Sequence, residues 1–266
     1  MSRNQLQTSL DIQLNHGAAE WPVLVEAARV AEERGFNTLW IADHLAGDMM
    51  GAATMPECFT TLGGLAAATT SIGLGSLVVN VGTRHPGIIA NAAATVQQIS
   101  GGRFTLGLGA GASPTSRFAR ELHALDIPVP SALEDRHRRL EETLNRIEAM
   151  WSAKRDPRYA GFPLPQPRPR IILGVNSIEL SRVATHRAQG INVRADHPRR
   201  SEILAVTRAA AQPDYIRSVW APFDESLLDP DCVRRREWAD DGVNRVVLLM
   251  GGEPDVARLA ALPHVA

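Results

Sequence analysis

The stretch that decides the fold is SIGLGSLVVNVGTRHP, residues Ser71 to Pro86, together with the glycine-rich segment GRFTLGLGAGASP, residues Gly102 to Pro114. Each is a short apolar run that ends in small, flexible residues, which is typical of a strand whose carboxyl end leaves backbone open to a ligand. A single amphipathic segment, residues 86–100, separates them. A strand, a helix and a strand of these lengths predict neighbouring strands of a parallel sheet.

The rest of the chain repeats this alternation of strand and helix patterns. Residues 6–14 alternate apolar and polar side chains as a strand does, and residues 20–34 carry apolar side chains at helical spacing before Gly35. A glycine at that place suits a helix end. Further strands are predicted at 36–42, 170–173, 190–193, 216–221 and 243–250. About eight strand and helix units predict an α/β fold, a single (β/α)8 TIM barrel in one domain over residues 1–266.

Two helix starts carry recognisable capping signals. Ser131 and Glu134 have the spacing of a capping box for a helix that runs to Trp151. Ser177 is placed as the N-cap of a helix over residues 178–187. A further helix is predicted over residues 201–211.

The amino-acid composition limits the classes of protein to which this chain can belong. The 266 residues are 44% hydrophobic and carry a formal net charge of −1, which predicts one large core and no binding to nucleic acid or an anionic membrane. Cys58 and Cys232 lack the spacing of a zinc site or a disulfide framework, which fits a reducing cytoplasm. We identify neither a secretory signal at the start nor an apolar run long enough to span a bilayer, so a cytoplasmic location is expected.

In a barrel the chemistry belongs at the carboxyl ends of the strands, where Asp43 and His44 follow the second strand. The imidazole of His44 can hold or pass a proton near neutral pH, and the neighbouring carboxylate can fix its charge. The alternative is a strand-end histidine that is capped by local backbone. His16 and His85 occupy similar places, where a turn accepts any polar residue. A metal site would need three strand ends to converge, and we predict none.

Glycines follow two further strands, at Gly107-Leu108-Gly109-Ala110-Gly111 and at Gly174-Val175-Asn176-Ser177. The first lacks the third glycine of the dinucleotide fingerprint, and Pro114 interrupts the helix that should receive a pyrophosphate. Both allow a flat ligand or its phosphate to approach main-chain N–H groups, and the second does so at a helix N-terminus. Tight turns that need no ligand explain these glycines equally well.

An ordered series of short motifs resembles the bacterial luciferase-like superfamily. The motifs are AEERGFNTLWIADH at 31–44, TTSIGLG at 69–75, His85-Pro86, Ala94-Thr95, and SGGRF at 100–104. Within the superfamily the sequence is most similar to the coenzyme F420-dependent oxidoreductases, such as methylenetetrahydromethanopterin reductase and F420-dependent glucose-6-phosphate dehydrogenase.

The resemblance implies a TIM barrel that binds a deazaflavin or flavin at its carboxyl face and transfers a hydride to or from a substrate above the ring. It also implies a non-prolyl cis peptide at Leu77-Val78, in a bulge of the third strand that backs the ring. Asp43, Ser76, Leu77 and Val78 would line the ring, and His44 would lie near the reacting carbon as the catalytic residue. The ribityl and phosphate would be held by Gly109, Gly111, Ala112, Ser113, Gly174, Val175, Asn176 and Ser177.

Two departures from the family pattern bear on activity. The dehydrogenase branch has a glutamate where this chain has Ala112, which argues against that branch's sugar-phosphate chemistry. The luciferase branch has an arginine for the FMN phosphate where Ala110 stands, which favours F420 over FMN.

The sequence therefore predicts an F420-dependent oxidoreductase that acts on a small organic substrate and forms a homodimer. The alternatives are an FMN-dependent monooxygenase of the same fold and a catalytically silent barrel that binds a cofactor without turnover. Loops 46–55 and 113–129 are expected to contact the substrate.

Overall fold

The computed structural model describes residues 8–210 and 212–265. The strands are β1 (Ser9–Leu14), β2 (Thr38–Ile41), β3 (Gly73–Ser76), β4 (Val79–Asn80), β5 (Phe104–Gly109), β6 (Arg170–Gly174), β7 (Gly190–Arg194), β8 (Ile216–Pro222) and β9 (Arg245–Met250). The α-helices are α1 (Trp21–Glu33), α2 (Cys58–Ala68), α3 (Pro86–Ile99), α4 (Arg120–Ala124), α5 (Leu133–Trp151), α6 (Ile178–Arg187), α7 (Arg200–Val206), α8 (Val233–Asp240) and α9 (Val256–Ala261). Of the predicted elements, residues 6, 7 and 211 lie outside the described residues, as do the ends of the predicted domain.

All strand pairings are parallel, in the order β3-β2-β1-β9-β8-β7-β6-β5-β4, and a pairing of β3 with β5 closes the sheet. β3 and β4 are two halves of one barrel strand. The nine strand segments therefore form the eight strands of the barrel. The predicted (β/α)8 barrel is therefore confirmed. The break between β3 and β4 lies at Leu77-Val78, whose peptide bond is cis.

Local signals account for the end of α1 and the start of α6, and one predicted helix start is wrong. Gly35 has φ 84° just after α1, and the Ser177 side chain accepts a hydrogen bond from the Leu180 N–H at the start of α6, as predicted. The capping box at Ser131 and Glu134 is wrong. Helix α5 begins at Leu133, so its N-cap residue is Ala132, whose methyl side chain cannot accept a hydrogen bond, and Ser131 lies one residue outside the cap position.

The main core lies between the barrel wall and the helices, and a second cluster fills the barrel itself. Its buried members are Trp40, Ile172, Ile216 and Val247, with Leu77 and Trp220 packed against them. The Trp40 ring needs a glycine beside it, since a Cβ on Gly75 would lie 2.3 Å from the ring. Leu77 and Trp220 stand nearest the carboxyl ends of their strands, so they form the top of this packed interior.

A buried carboxylate, Asp11, lies inside the barrel below that top. It accepts a hydrogen bond from the indole N–H of Trp40 at 2.7 Å, and the Arg245 guanidinium lies 3.6 Å away. Burial raises the pKa of Asp11 from 3.8 to about 6 and outweighs the opposing effects of Arg245, Trp40 and Asn37. The folded protein therefore binds this proton more tightly than the unfolded chain does.

That shift gives a pH-dependent prediction for the variant Asp11→Asn. The contribution of Asp11 to stability is greatest below about pH 4 and falls as the pH rises to about 6, a swing of roughly 3 kcal/mol. Asparagine does not titrate, so the variant lacks this pH-dependent change in stability. We therefore expect the difference in free energy of unfolding, variant minus wild type, to increase from pH 4 to pH 7. Urea unfolding across that range measures the difference. Asp240→Asn, at an exposed position, is the matched control, and an equal trend in both variants would contradict the prediction.

Candidate active site

The bulge between β3 and β4 forms a shelf at the carboxyl end of the barrel, made of Leu77 and Val78, both partly exposed. Its backbone is held on both sides. The Leu77 N–H donates to the Ile41 carbonyl at 2.8 Å, and the Ser76 hydroxyl donates to the Gly107 carbonyl at 3.1 Å while accepting from the Gly107 N–H at 3.0 Å. The shelf is therefore fixed to strands β2 and β5.

The Val78 side chain occupies a niche that three glycines create. A Cβ on Gly109 would lie 2.7 Å from a Val78 methyl, and one on Gly174 would lie 3.1 Å from two of them. A Cβ on Gly107 would lie 2.1 Å from the Ser76 carbonyl oxygen and 3.2 Å from Val78. These glycines are thus required by the bulge itself. That Gly109 and Gly174 also contact a cofactor stays a prediction.

Asp43, at the end of β2, is buried, and both oxygens of its carboxylate accept hydrogen bonds. Its carboxylate accepts from the Asn80 N–H at 3.0 Å and from both terminal nitrogens of Arg84 at 2.8 Å. Arg84 also contacts Glu57 at 2.7 Å. Asp43 therefore ties the residues after the bulge to β2, and its charge is compensated where the shelf begins.

His44 follows Asp43 and makes a pair with Glu121. The Nδ1 atom of His44 lies 3.0 Å from Oε1 of Glu121, and the two side chains are 21% and 3% exposed. The other oxygen of Glu121 accepts from the N–H groups of Leu45 at 2.7 Å and Ala46 at 3.1 Å. Burial acts to raise the pKa of Glu121, but the hydrogen bonds from His44 and the two N–H groups outweigh it, so that the pKa is lowered.

An ionised Glu121 fixes the tautomer of His44. Because a carboxylate only accepts hydrogen bonds, Nδ1 of His44 carries the proton that it donates to Glu121. The Nε2 atom is then left to accept or donate a proton on the exposed side of the ring. Phe118 stacks on this imidazole with ring centroids 6.0 Å apart, and the Arg117 guanidinium covers Phe118.

The loop of residues 45–56, which follows His44, is also held by hydrogen bonds nearer its other end. The Asn15 amide donates to the Met50 carbonyl at 2.8 Å, and Nε2 of His16 lies 3.1 Å from the Pro56 carbonyl oxygen. His16 is buried, which lowers its pKa. His85 takes the role of a local cap, since its Nδ1 accepts from the Gly87 N–H at the start of α3. Of the three predicted histidines, only His44 is paired with a carboxylate in the structure.

The end of β5 holds the remaining glycine turn. Gly111 has φ 81°, and a Cβ there would lie 2.8 Å from the Asn80 side-chain oxygen. Ala112 is partly exposed beside it, and the Ser113 hydroxyl lies 3.4 Å from that of Thr115. The Gly111, Ala112 and Ser113 segment thus borders the shelf from the β5 side, and its role in cofactor binding stays a prediction.

The end of β6 leads directly into α6. Val175 packs into the main core, Asn176 is exposed, and the Ser177 hydroxyl caps α6. Glu179, in the first turn of α6, is exposed, and interactions with its own backbone N–H and with Ser177 lower the pKa of its carboxyl group. That Gly174, Val175, Asn176 and Ser177 hold the ribityl and phosphate stays a prediction.

No group of three His, Cys, Asp or Glu side chains is arranged to hold a metal ion among residues 8–210 and 212–265. In the same part of the chain, no helix combines the length and apolar character that crossing a bilayer requires. Cys58 and Cys232 are both free thiols.

Glu121 and Arg84 are the residues of the candidate site that sequence reasoning missed. Arg84 lies within the stretch from Ser71 to Pro86 that decides the fold, but the sequence analysis gives it no role of its own. Glu121 lies 77 positions from His44, within residues 113–129, where a substrate-contacting loop is predicted, and it has no fixed spacing to any strand end. Only the position of α4 across the end of β2 brings the pair together.

A parallel barrel with a fixed apolar shelf and an imidazole–carboxylate pair at its carboxyl face defines a class of small-molecule-binding barrels. The chain belongs to the luciferase-like monooxygenase family, whose model matches residues 6–222.

Relatives within the family carry different activities. An F420-dependent glucose-6-phosphate dehydrogenase of Beutenbergia cavernae is 34% identical over 127 residues, which is 47% of this chain and 36% of the relative. A 5,10-methylenetetrahydromethanopterin reductase of Methanolobus tindarius is 41% identical over 96 residues, 35% of this chain and 27% of the relative. A 4-hydroxyprotoasukamycin monooxygenase of Streptomyces nodosus subsp. asukaensis is 34% identical over 134 residues, 50% of this chain and 33% of the relative. The matches thus span about a third of these relatives' lengths.

Solved structures share the fold over nearly the whole chain. An F420-dependent secondary alcohol dehydrogenase in complex with an F420-acetone adduct superposes with a TM-score of 0.72 at 15% identity, over 96% of this chain and 97% of its own. Monooxygenase RslO1 from Streptomyces bottropensis gives a TM-score of 0.73 at 15% identity, over 97% of both chains. At such identity these likenesses establish the barrel fold alone.

Proposed function

We propose that this protein is an F420-dependent oxidoreductase that transfers a hydride between coenzyme F420 and a small organic substrate. The single observation that carries the proposal is the pair of the partly exposed His44 with the buried Glu121, next to the Leu77-Val78 shelf. It gives a proton-handling group beside a surface suited to a flat ring. The F420-dependent enzymes among the relatives support the choice of coenzyme.

The residues at the barrel mouth fit a planar, largely apolar ring. Leu77, Val78 and Trp220 present partly exposed apolar surface, and the nearby charge of Asp43 is compensated by Arg84. Ser76 to Val78 would therefore back the ring, with Asp43 at its edge.

When bound, a deazaflavin supplies hydride chemistry that no amino acid side chain offers. The chain itself supplies proton transfer and position. His44 Nε2 would take the proton of a substrate hydroxyl as that substrate is oxidised, or return it in the reverse direction, and Glu121 would stabilise the charged imidazole that forms. The fastened 45–56 loop keeps this nitrogen in place, so proton transfer needs no loop closure.

An FMN-dependent monooxygenase is the second candidate, and the Streptomyces nodosus relative favours it. A barrel that binds a cofactor without turnover is the third, because Ala112 lacks the carboxylate of the dehydrogenase branch. Glu121 supplies a buried carboxylate at this face from a different place in the sequence, which supports an active enzyme.

A side-by-side binding titration with F420 and FMN, followed by absorbance, tests the proposal. We expect F420 to bind and FMN not to bind. We also expect Leu77→Asp to weaken F420 binding at least about tenfold, because it places a charge under an apolar ring. Ile99→Asp, at a 48% exposed position at the far end of α3, is the matched control and should bind as the wild type does.

Each other outcome has a definite meaning. Binding of FMN alone would support the monooxygenase, and binding of neither would remove the proposed function. Binding of F420 without oxidation or reduction of any alcohol or ketone offered would favour the silent barrel.

A further inference from the structure

Two loops meet at His44, residues 45–56 after β2 and residues 113–129 after β5. The first loop follows His44 directly, and the second carries Glu121 and Phe118, which both contact the imidazole ring. The loops also touch away from His44, where an oxygen of Asp48 lies 3.7 Å from the Arg120 guanidinium. Together they form one side of the barrel mouth, which we call the loop wall.

The loop wall is rich in apolar side chains that the protein itself does not cover. Phe118 stays 40% exposed although it stacks on His44. Methionine side chains are flexible and adapt to apolar partners of different shape. The apolar side chains of the wall that are partly or well exposed are Leu45, Met49, Met50, Met55 and Phe118. The wall therefore offers an aromatic ring next to His44 and adaptable apolar side chains in the same two loops.

The charges of the loop wall do not favour an anionic ligand. The first loop contains no lysine or arginine, and the second contains only Arg117 and Arg120. Arg120 faces Asp48, and the Arg117 guanidinium lies 4.7 Å from the centroid of the Phe118 ring. The two loops carry three carboxylates against these two guanidinium groups. A negatively charged substrate would therefore gain little from the field of this wall.

We propose that the substrate is an uncharged alcohol, or the carbonyl compound made from it, with an apolar body of several carbon atoms. This inference rests on the proposed function and names its substrate class. The apolar body packs against Phe118, and the oxygen of the substrate lies at Nε2 of His44. Such a division between an apolar wall and a single polar group is common in small-molecule sites.

The reaction balances with the groups already described. In the oxidation, the C–H bond of the carbinol carbon breaks and its hydride passes to the oxidised coenzyme. The O–H proton of the substrate passes to Nε2 of His44, and a carbonyl compound remains. Reduction of the carbonyl compound by the reduced coenzyme reverses both transfers.

A sugar phosphate fits the loop wall poorly. Its hydroxyl groups would lose water against the Phe118 ring without gaining hydrogen-bond partners from it. Its phosphate would meet loops in which carboxylates outnumber guanidinium groups. The wall therefore separates this chain from a sugar-phosphate enzyme on physical grounds that are independent of Ala112.

Three probes test the inference on the full chain. They are 2-butanol, its longer homologue 2-heptanol, and 6-hydroxyheptanoate, in which a carboxylate replaces the far methyl group of 2-heptanol. Absorbance during F420 reduction gives kcat/KM for each. The variant is Phe118→Ala. The matched control is Phe162→Ala, which removes a phenylalanine of similar exposure, 43%, that contacts Tyr159 instead of His44.

We expect the wild type to prefer 2-heptanol at least about tenfold over 2-butanol, because each CH₂ group that is fully buried contributes about fourfold. It should also prefer 2-heptanol at least about tenfold over 6-hydroxyheptanoate. Phe118→Ala should lower the ratio of 2-heptanol to 2-butanol at least about fivefold, and Phe162→Ala should leave it within about twofold. The ratio is the readout because Phe118 also stacks on His44, and a loss of proton transfer alone lowers kcat/KM for both alcohols equally.

A second readout needs no coenzyme. Saturation-transfer NMR of 2-heptanol with the full chain should show contact in the wild type and in Phe162→Ala, and little or none in Phe118→Ala. If F420 does not bind but this pattern is found, the apolar site stands and the proposed function fails.

The remaining outcomes overturn the inference. If F420 is reduced but the two alcohols react equally well, or 6-hydroxyheptanoate reacts as well as 2-heptanol, the substrate class is wrong and the proposed function stands. The same conclusion on substrate class follows if F420 binds and neither alcohol reacts. If F420 does not bind and 2-heptanol gives no contact, both proposals fail.

Discussion

Replacing His44 by alanine lowers turnover at least about 100-fold and changes coenzyme affinity by less than about threefold. General acid or base catalysis by a positioned side chain contributes typically 10²- to 10⁴-fold. The imidazole is 21% exposed, and its Nδ1 is committed to Glu121, so the effect falls on proton transfer at Nε2 rather than on the shelf. Steady-state kinetics with a reactive alcohol, together with an F420 titration, measure the two quantities.

The matched control for this prediction is His186→Ala, which removes an exposed histidine near the end of α6. It should behave as the wild type does. Equal losses of turnover and of coenzyme affinity in His44→Ala would show that His44 holds the ring and does not move a proton.

Glu121→Gln separates a positioning role from a merely structural one. The amide oxygen can still accept from the N–H groups of Leu45 and Ala46, so the loop keeps its anchor. The negative charge is lost, and with it the preference for a charged imidazole during the reaction. We expect turnover to fall about tenfold and the acid limb of the pH–rate profile to move to lower pH. An unchanged profile would mean that Glu121 only fastens the loop.

The barrel can be predicted well from the sequence because the residue patterns that indicate its strands and turns are local. Alternation of apolar side chains fixes each strand, and small residues fix each turn. The bulge at Leu77-Val78 was placed by family resemblance, since apolar periodicity reads straight through it. The capping box at Ser131 is wrong because the helix begins one residue later than the local pattern places it, with Ala132 as the N-cap residue.

The site is harder to predict because its partners are far apart in the chain. The glycines at 109 and 174 were read as openings for a ligand, while the structure shows that the Val78 methyl groups fill the space beside them. That Asp43 lines the ring stays a prediction, but its ion pair with Arg84, which lies 41 positions later in the chain, was not predicted. A single sequence records neither contact, because both depend on how the barrel closes.

Arg84 links three segments at the barrel mouth. It joins Asp43 of β2, Glu57 at the start of α2 and the segment after β4, and it also covers the Phe59 ring. The side chain of Asp43 is fully buried beneath it. Removing the guanidinium therefore leaves a buried carboxylate with one backbone N–H as its remaining partner.

We accordingly expect Arg84→Met to lower the free energy of unfolding by about 3 to 5 kcal/mol, the usual result of breaking one side of a buried ion pair. The double variant Asp43→Asn with Arg84→Met should recover more than half of that loss, because it removes the uncompensated charge as well. Urea unfolding at pH 7 measures both. Arg194→Met breaks the exposed pair with Asp196 and should cost less than about 1 kcal/mol. If the single and double Arg84 variants were equally unstable, the buried charge would not be the cause, and the loss would belong to the packing of the Arg84 side chain against Phe59.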